Sequence, residues 1–184
     1  MDHQALFPQI LTEAVVQGVG SVYDIPQLLH EDRSLYAIEG MFSTIYLKGH
    51  LKGKMSFFIR EEGAARIVGR MLGQPEISED ASEAIDGFGE LLNIVAGCFK
   101  TKLDAHKVRF DISIPSTRLT ASIPASNWEH NIEQIFSSAD IKFKVILSYR
   151  LDLMPEAPAA AVEPAKPKLS AADLIKMAMA KKKA

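Results

Sequence analysis

EAIDGFGELLNIVAGCFKTKL, residues 83–103, is apolar around most of a helical circumference and polar along one narrow line. Advancing about 100° per residue, Ile85, Leu92, Ala96, Phe99 and Leu103 fall on one side. Phe88, Leu91 and Val95 widen that side, while Asp86, Glu90, Asn93, Gly97 and Lys100 share the opposite arc. A helix this apolar needs neighbours over most of its surface, which predicts a layered fold built around it. Three glycines, Gly87, Gly89 and Gly97, interrupt the helix. Each forfeits about 1 kcal/mol against alanine, so their place beside the polar stripe predicts that another surface comes close.

The flanking segments supply the other layers. DASE, residues 80–83, reads as a capping box with Asp80 at the N-cap and Glu83 reaching back. Residues 61–72 have helical period through Ala64, Ile67, Val68, Met71 and Leu72, stopped by Gly73 and Pro75. Residues 5–18 read as a further helix, with Pro8 tolerated in or near its first turn. Residues 23–34 read as an irregular connection. Runs 35–48 and 54–60 read as strands joined across GHLKG, with Gly49 and Gly53 marking the turn. Val108, Phe110, Ile112 and Ile114 alternate with polar residues, predicting a half-buried strand ended by Pro115. RLTASI (118–123) is expected to be its hairpin partner, IKFKVILSYRL (141–151) a final strand, and SNWEHNIEQIF a loop-to-helix region with Trp128 packed in it. The expected fold is an α/β (α+β) sandwich: an antiparallel-rich sheet against a few helices, in a single domain spanning 1–152.

Beyond that domain the composition changes. MPEAPAAAVEPAKPK holds four prolines and five alanines, so 153–168 read as a linker. Residues 169–184 read as a short basic amphipathic segment, with Ser170 as N-cap and Leu169 stapled onto Leu174. From Lys166 onward six lysines stand against Asp173, a net +5, which leaves residues 1–165 at −7 within the chain's −2. An acidic body argues against a nucleic-acid-binding core. The apolar runs are too short to span a bilayer, and MDHQALFPQIL has no signal-peptide layout, so a cytoplasmic protein is expected. A lone Cys98 excludes an internal disulfide, and the five scattered histidines have no metal-ligand spacing.

Charged outer faces are the norm for amphipathic helices, so the stripe can be a solvated face. It can also be half of an active site. A carboxylate on one turn can hold a partner's cation while a carboxamide on the next orients a water. The stripe pairs no serine or cysteine with a histidine and clusters no metal ligands, so it has little hydrolytic capacity alone.

Asp86-x3-Glu90-x2-Asn93, followed by Pro115 near the end of the next strand, resembles the signature of the CheC, CheX and FliY phosphatases of bacterial chemotaxis. IYLKGHLKGKMSFFIREEGAARIVGRMLG (45–73) and DGFGELLNIVAGCFKTKL (86–103) are similar to CheX, and the likeness spans roughly 5–150. The resemblance implies an auxiliary phosphatase that removes the aspartyl phosphate of a CheY-like receiver. Glu90 would pair with the receiver's active-site lysine and Asn93 would hold the water in line for attack. Asp86, Gly97 and Pro115 would support or contact the partner. No cofactor of its own is implied, Mg²⁺ being bound by the receiver. The competing reading is a non-catalytic module that sequesters a phosphorylated receiver or a chemotaxis component, and a third is a flagellar-switch component like FliY.

CheX relatives pair through a shared sheet, and a long apolar strand at 141–151 would be a liability as a bare edge, so a homodimer is expected. The basic tail is read as a solubility element or as a docking peptide for a chemotaxis partner. Lys100 and Lys102 are read as solvated and Cys98 as an inert, partly buried thiol.

Overall fold

Gly40–Gly49 (β2) and Leu51–Ile59 (β3) alternate side chains across a sheet whose inner face is closed by helices. The structure, a computed structural model, describes residues 3–21, 27–29, 39–73, 81–138 and 141–152. Within them lie α1 (His3–Gly20), β1 (Gln27–Leu29), β2, β3, α2 (Glu61–Met71), α3 (Ala81–Asp104), β4 (Phe110–Ile112), β5 (Ser116–Thr120), β6 (His130–Ser137) and β7 (Lys142–Leu151). The sheet runs β1-β6-β7-β3-β2, with β4 and β5 both on the outer edge of β2 and every pairing antiparallel. This is the α+β sandwich that the sequence implies. The linker and the basic segment, 153–184, lie outside the described residues, as does Asp80 of the capping box.

One core joins helices to sheet. Phe7, Leu11 and Val15 of α1, Ile67 and Val68 of α2, and Phe88, Leu92, Val95 and Phe99 of α3 are buried together with Ile45, Phe57, Phe143, Leu147 and Tyr149 of the strands. On the opposite face Phe42, Phe58 and Ile135 form a second, smaller cluster against Ile123. Lys144 is wholly buried and donates to Glu133 at 2.5 Å.

Several expectations need correcting. The hairpin between β2 and β3 turns at His50, and Gly53 lies inside β3, paired with Leu47 and Tyr149. Its missing side chain has another cause: a Cβ there would stand 2.1 Å from the Ser148 carbonyl oxygen of β7. The connection at 23–34 contains the short strand β1. Pro8 lies in the second turn of α1, where its carbonyl accepts from Thr12 Oγ1 and Gln134 Nε2 at 3.0 and 2.9 Å.

RLTASI is not a hairpin partner of the preceding strand. Both β4 and β5 pair with β2, end to end, separated by a kink at 113–115. Ser113 makes that kink: its N–H donates to the Tyr46 carbonyl at 2.9 Å, and its hydroxyl oxygen accepts from Tyr46 N–H at 3.0 Å. Pro115 brings no donor to continue the ladder. The alternation therefore ends at Ile112, and Ile114 is 89% exposed instead of half-buried.

SNWEHNIEQIF leads into a strand, β6, with Trp128 half-buried ahead of it. β7 lies between β6 and β3, so the 141–151 strand is central and its apolar character follows from burial on both sides of the sheet. It is not a bare edge and offers no free strand through which a dimer could pair. α2 ends as expected, with Gly73 in the left-handed region (φ +69°).

Candidate functional site

The motif helix is braced on every side except along its polar stripe. Toward α1, Phe99 meets the Phe7 ring edge-on at 6.3 Å, and Gly18 faces Val95 so closely that a Cβ would lie 2.7 Å from Cγ2. Toward α2, a Cβ on Gly87 would lie 2.2 Å from Val68 Cγ1. Toward the sheet, Phe88 packs on Phe57 and Phe99 on Phe110, with centroids 6.2 and 6.1 Å apart. Gly89 lies over β5, where a Cβ would be 3.0 Å from Thr117 Oγ1 and 3.6 Å from Pro115 Cγ. Thr117 is in turn hydrogen-bonded to buried Ser43 at 2.9 Å, a floor to the helix that no sequence motif announces.

Two of the three mid-helix glycines thus answer to this chain's own packing. Gly97 does not: a Cβ there would meet nothing within 4 Å. The close surface expected of the three glycines is this chain's own at Gly87 and Gly89, and at Gly97 the helix backbone meets none.

Asp86 and Glu90 are exposed and Asn93 is half-buried, all on the unbraced side. Asn93 Nδ2 donates to Glu90 Oε2 at 3.4 Å, at the long limit of such a bond. A carboxylate and a carboxamide on successive turns therefore stand together, with most of their hydrogen-bonding capacity directed away from the fold. Pro115 comes alongside Gly89, one turn before Asn93. The structure brings together four of the five residues singled out, Asp86, Glu90, Asn93 and Pro115, with Gly97 one turn further along the helix.

Past Gly97 the stripe changes character. Lys100 is paired with Asp111 of β4 at 3.0 Å and Lys102 with Glu13 of α1 at 3.3 Å, so neither lysine is merely solvated. A recess of about 570 Å³ opens there, lined among others by Lys48, His50, Lys100, Asp104, Arg109 and Asp111. Within it Lys100 pairs with Asp111, and Arg109 with Asp104 at 3.1 Å. Cys98 is a free, half-buried thiol packed against the core. Among the described residues no group of three or more His, Cys, Asp or Glu is placed to hold a metal ion, and no helix is long and apolar enough to cross a membrane.

The family model described as chemotaxis phosphatase CheX matches residues 41–136, which include the stripe, Pro115 and the edge strands. The chain belongs to the CheX family. No curated protein matches the chain. Among solved structures, chemotaxis protein CheX from Vibrio vulnificus is similar at 21% identity and a TM-score of 0.66, covering 82% of this chain and 100% of its own. A chain of the CheX–CheY–BeF3–Mg+2 complex from Borrelia burgdorferi is similar at 20% identity and a TM-score of 0.62, covering 77% and 96%. A CheC-like superfamily protein from Shewanella gives 22% and 0.63, covering 82% and 99%. These likenesses establish the CheX fold, with the motif helix on its helical layer.

Proposed function

We propose that the protein is a phosphatase for the aspartyl phosphate of a CheY-like receiver in chemotaxis signalling. The observation that carries this reading is the pairing of Glu90 with Asn93 on the one unbraced line of an otherwise packed helix. The Glu90 carboxylate binds the lysine of the receiver's active site. The Asn93 carboxamide holds a water in line with the phosphorus. Attack forms the new P–O bond as the bond to the aspartate oxygen breaks, releasing inorganic phosphate and a free carboxylate. Such a reaction needs positioning and charge more than a protein nucleophile. Mg²⁺ belongs to the receiver, where it neutralises the phosphoryl oxygens. Asp86 supports the approach from the first turn of the motif, and Pro115 and Gly97 contact the partner.

The CheX–CheY complex from Borrelia burgdorferi supports the choice of partner. The reading further includes a cytoplasmic homodimer, which sedimentation as a monomer at micromolar concentration would contradict. The test is the decay of a phosphorylated receiver with wild type, Glu90→Ala and Asn93→Ala. Wild type should shorten the decay, and each variant should return it to within a few fold of the receiver alone. Equal acceleration by wild type and Asn93→Ala would remove Asn93 from the mechanism. A slowed decay with wild type would favour sequestration.

A further inference from the structure

Two contacts fix how the edge strands run beside the motif helix. At one end Gly89 lies over Pro115 and Thr117; at the other Lys100 pairs with Asp111. From Gly89 to Lys100 the helix advances about 16 Å, and from Pro115 back to Asp111 an extended chain covers about 13 Å. On that spacing Ile114, next to Pro115, falls level with the Leu91–Asn93 part of the helix, and Ile112 level with Gly97. Among the described residues Ile114 is the most exposed large apolar side chain, at 89%.

A single exposed isoleucine is ordinary on a protein surface. This one is mounted firmly. Ser113 bonds twice to the Tyr46 backbone, and its hydroxyl donates to the Ile114 carbonyl at 2.9 Å. Pro115 fixes the following φ and lies against Gly89. An apolar side chain on a fixed stretch of backbone, level with the Asn93 end of the polar pair, has the make-up of an interface anchor, because the backbone loses little ordering entropy on contact.

We propose that Ile114 is the apolar anchor that seats the phosphorylated receiver on the Glu90–Asn93 stripe, against an apolar patch bordering the receiver's phosphoaspartate. The inference rests on the phosphatase reading. Glu90 and Asn93 act only with the partner's active site pressed along the stripe, and a body seated over Glu90 and Asn93 reaches Ile114 beside them. A second copy of this chain is the other possible occupant. It is disfavoured because the kink at 113–115, with Pro115 in it, breaks the edge on which another strand would pair into the two short pieces β4 and β5.

The test uses the full chain and a CheY-type receiver phosphorylated with acetyl phosphate in Mg²⁺. Ile114→Asp should raise KM about tenfold with kcat within about twofold. Ile114→Leu should stay near wild type, and Val16→Ala, at an exposed apolar site on α1, should change nothing. Affinity for the receiver carrying beryllofluoride should fall in parallel, with the melting temperature of Ile114→Asp unchanged. An active wild type with an unaltered KM in Ile114→Asp overturns the anchor and leaves the phosphatase reading standing. A fall in kcat at constant KM, or a change in sedimentation between wild type and Ile114→Asp, overturns it too. A wild type that neither binds nor dephosphorylates the receiver removes both.

Discussion

Adding one methyl to the motif helix should have opposite effects at Gly87 and at Gly97. At Gly87 the new Cβ would lie 2.2, 2.9 and 3.1 Å from Cγ1, Cγ2 and Cβ of Val68. Valine on a helix is nearly confined to one rotamer, so Val68 cannot swing aside and α2 must move against α3. Overpacking of this kind costs about 1–3 kcal/mol, and the shortest contact places Gly87→Ala at the upper end. The gain in helix propensity returns about 1 kcal/mol, leaving a net loss of about 2 kcal/mol. For a domain of this size that lowers Tm by about 4–8 °C. At Gly97 nothing lies within 4 Å, so only the propensity gain remains. Gly97→Ala should raise Tm by about 2–4 °C. Thermal unfolding followed by circular dichroism measures both. Val68→Ala combined with Gly87→Ala should cost less than the sum of the two, since each change makes room for the other. If Gly87→Ala stabilises as much as Gly97→Ala does, the packing of α2 on α3 is not as described.

Two further outcomes follow from buried polar groups. Glu133→Ala deprives the buried Lys144 ammonium of its carboxylate partner and should cost about 2 kcal/mol in urea unfolding, more than Lys144→Met, which removes the charge with it. Burial pushes the Tyr149 phenol above its ordinary value, so the neutral form is the one the fold accommodates. The stability this provides is fully present below the ordinary phenol pKa of about 10 and is lost as pH rises through the higher folded value. Tyr149→Phe should therefore hold its urea midpoint to higher pH than wild type; an identical alkaline decline in both would exclude Tyr149 as the cause.

Much of this could be read from the chain, and the parts that could not share a cause. The stripe was legible because helical period is local: Phe88, Leu92, Val95 and Phe99 are buried where the period places them. Strand order is not local. The 141–151 run is apolar because β3 and β6 flank it, yet the same run would suit an unprotected edge. Gly53 looked like a turn residue although its side chain is excluded by the Ser148 carbonyl, a neighbour 95 positions away in sequence. β6 was hidden because Asn131 and Glu133 face outward while only Ile135 and Phe136 are fully buried. Ile114 continued an alternation that Ser113 had already broken. At the site, the sequence could name Glu90, Asn93 and Pro115, but only the fold explains Gly87 and Gly89 by packing and leaves Gly97 facing out.

The central claim is that the Glu90–Asn93 pair turns over receiver phosphate. The most direct measurement is phosphate release from a receiver in large excess over the chain, because an enzyme acts repeatedly and a sequestering module acts once. The account predicts many phosphates released per chain above the receiver's own rate, abolished by Asn93→Ala. Release that never exceeds the receiver's own rate, at any ratio of chain to receiver, would contradict it.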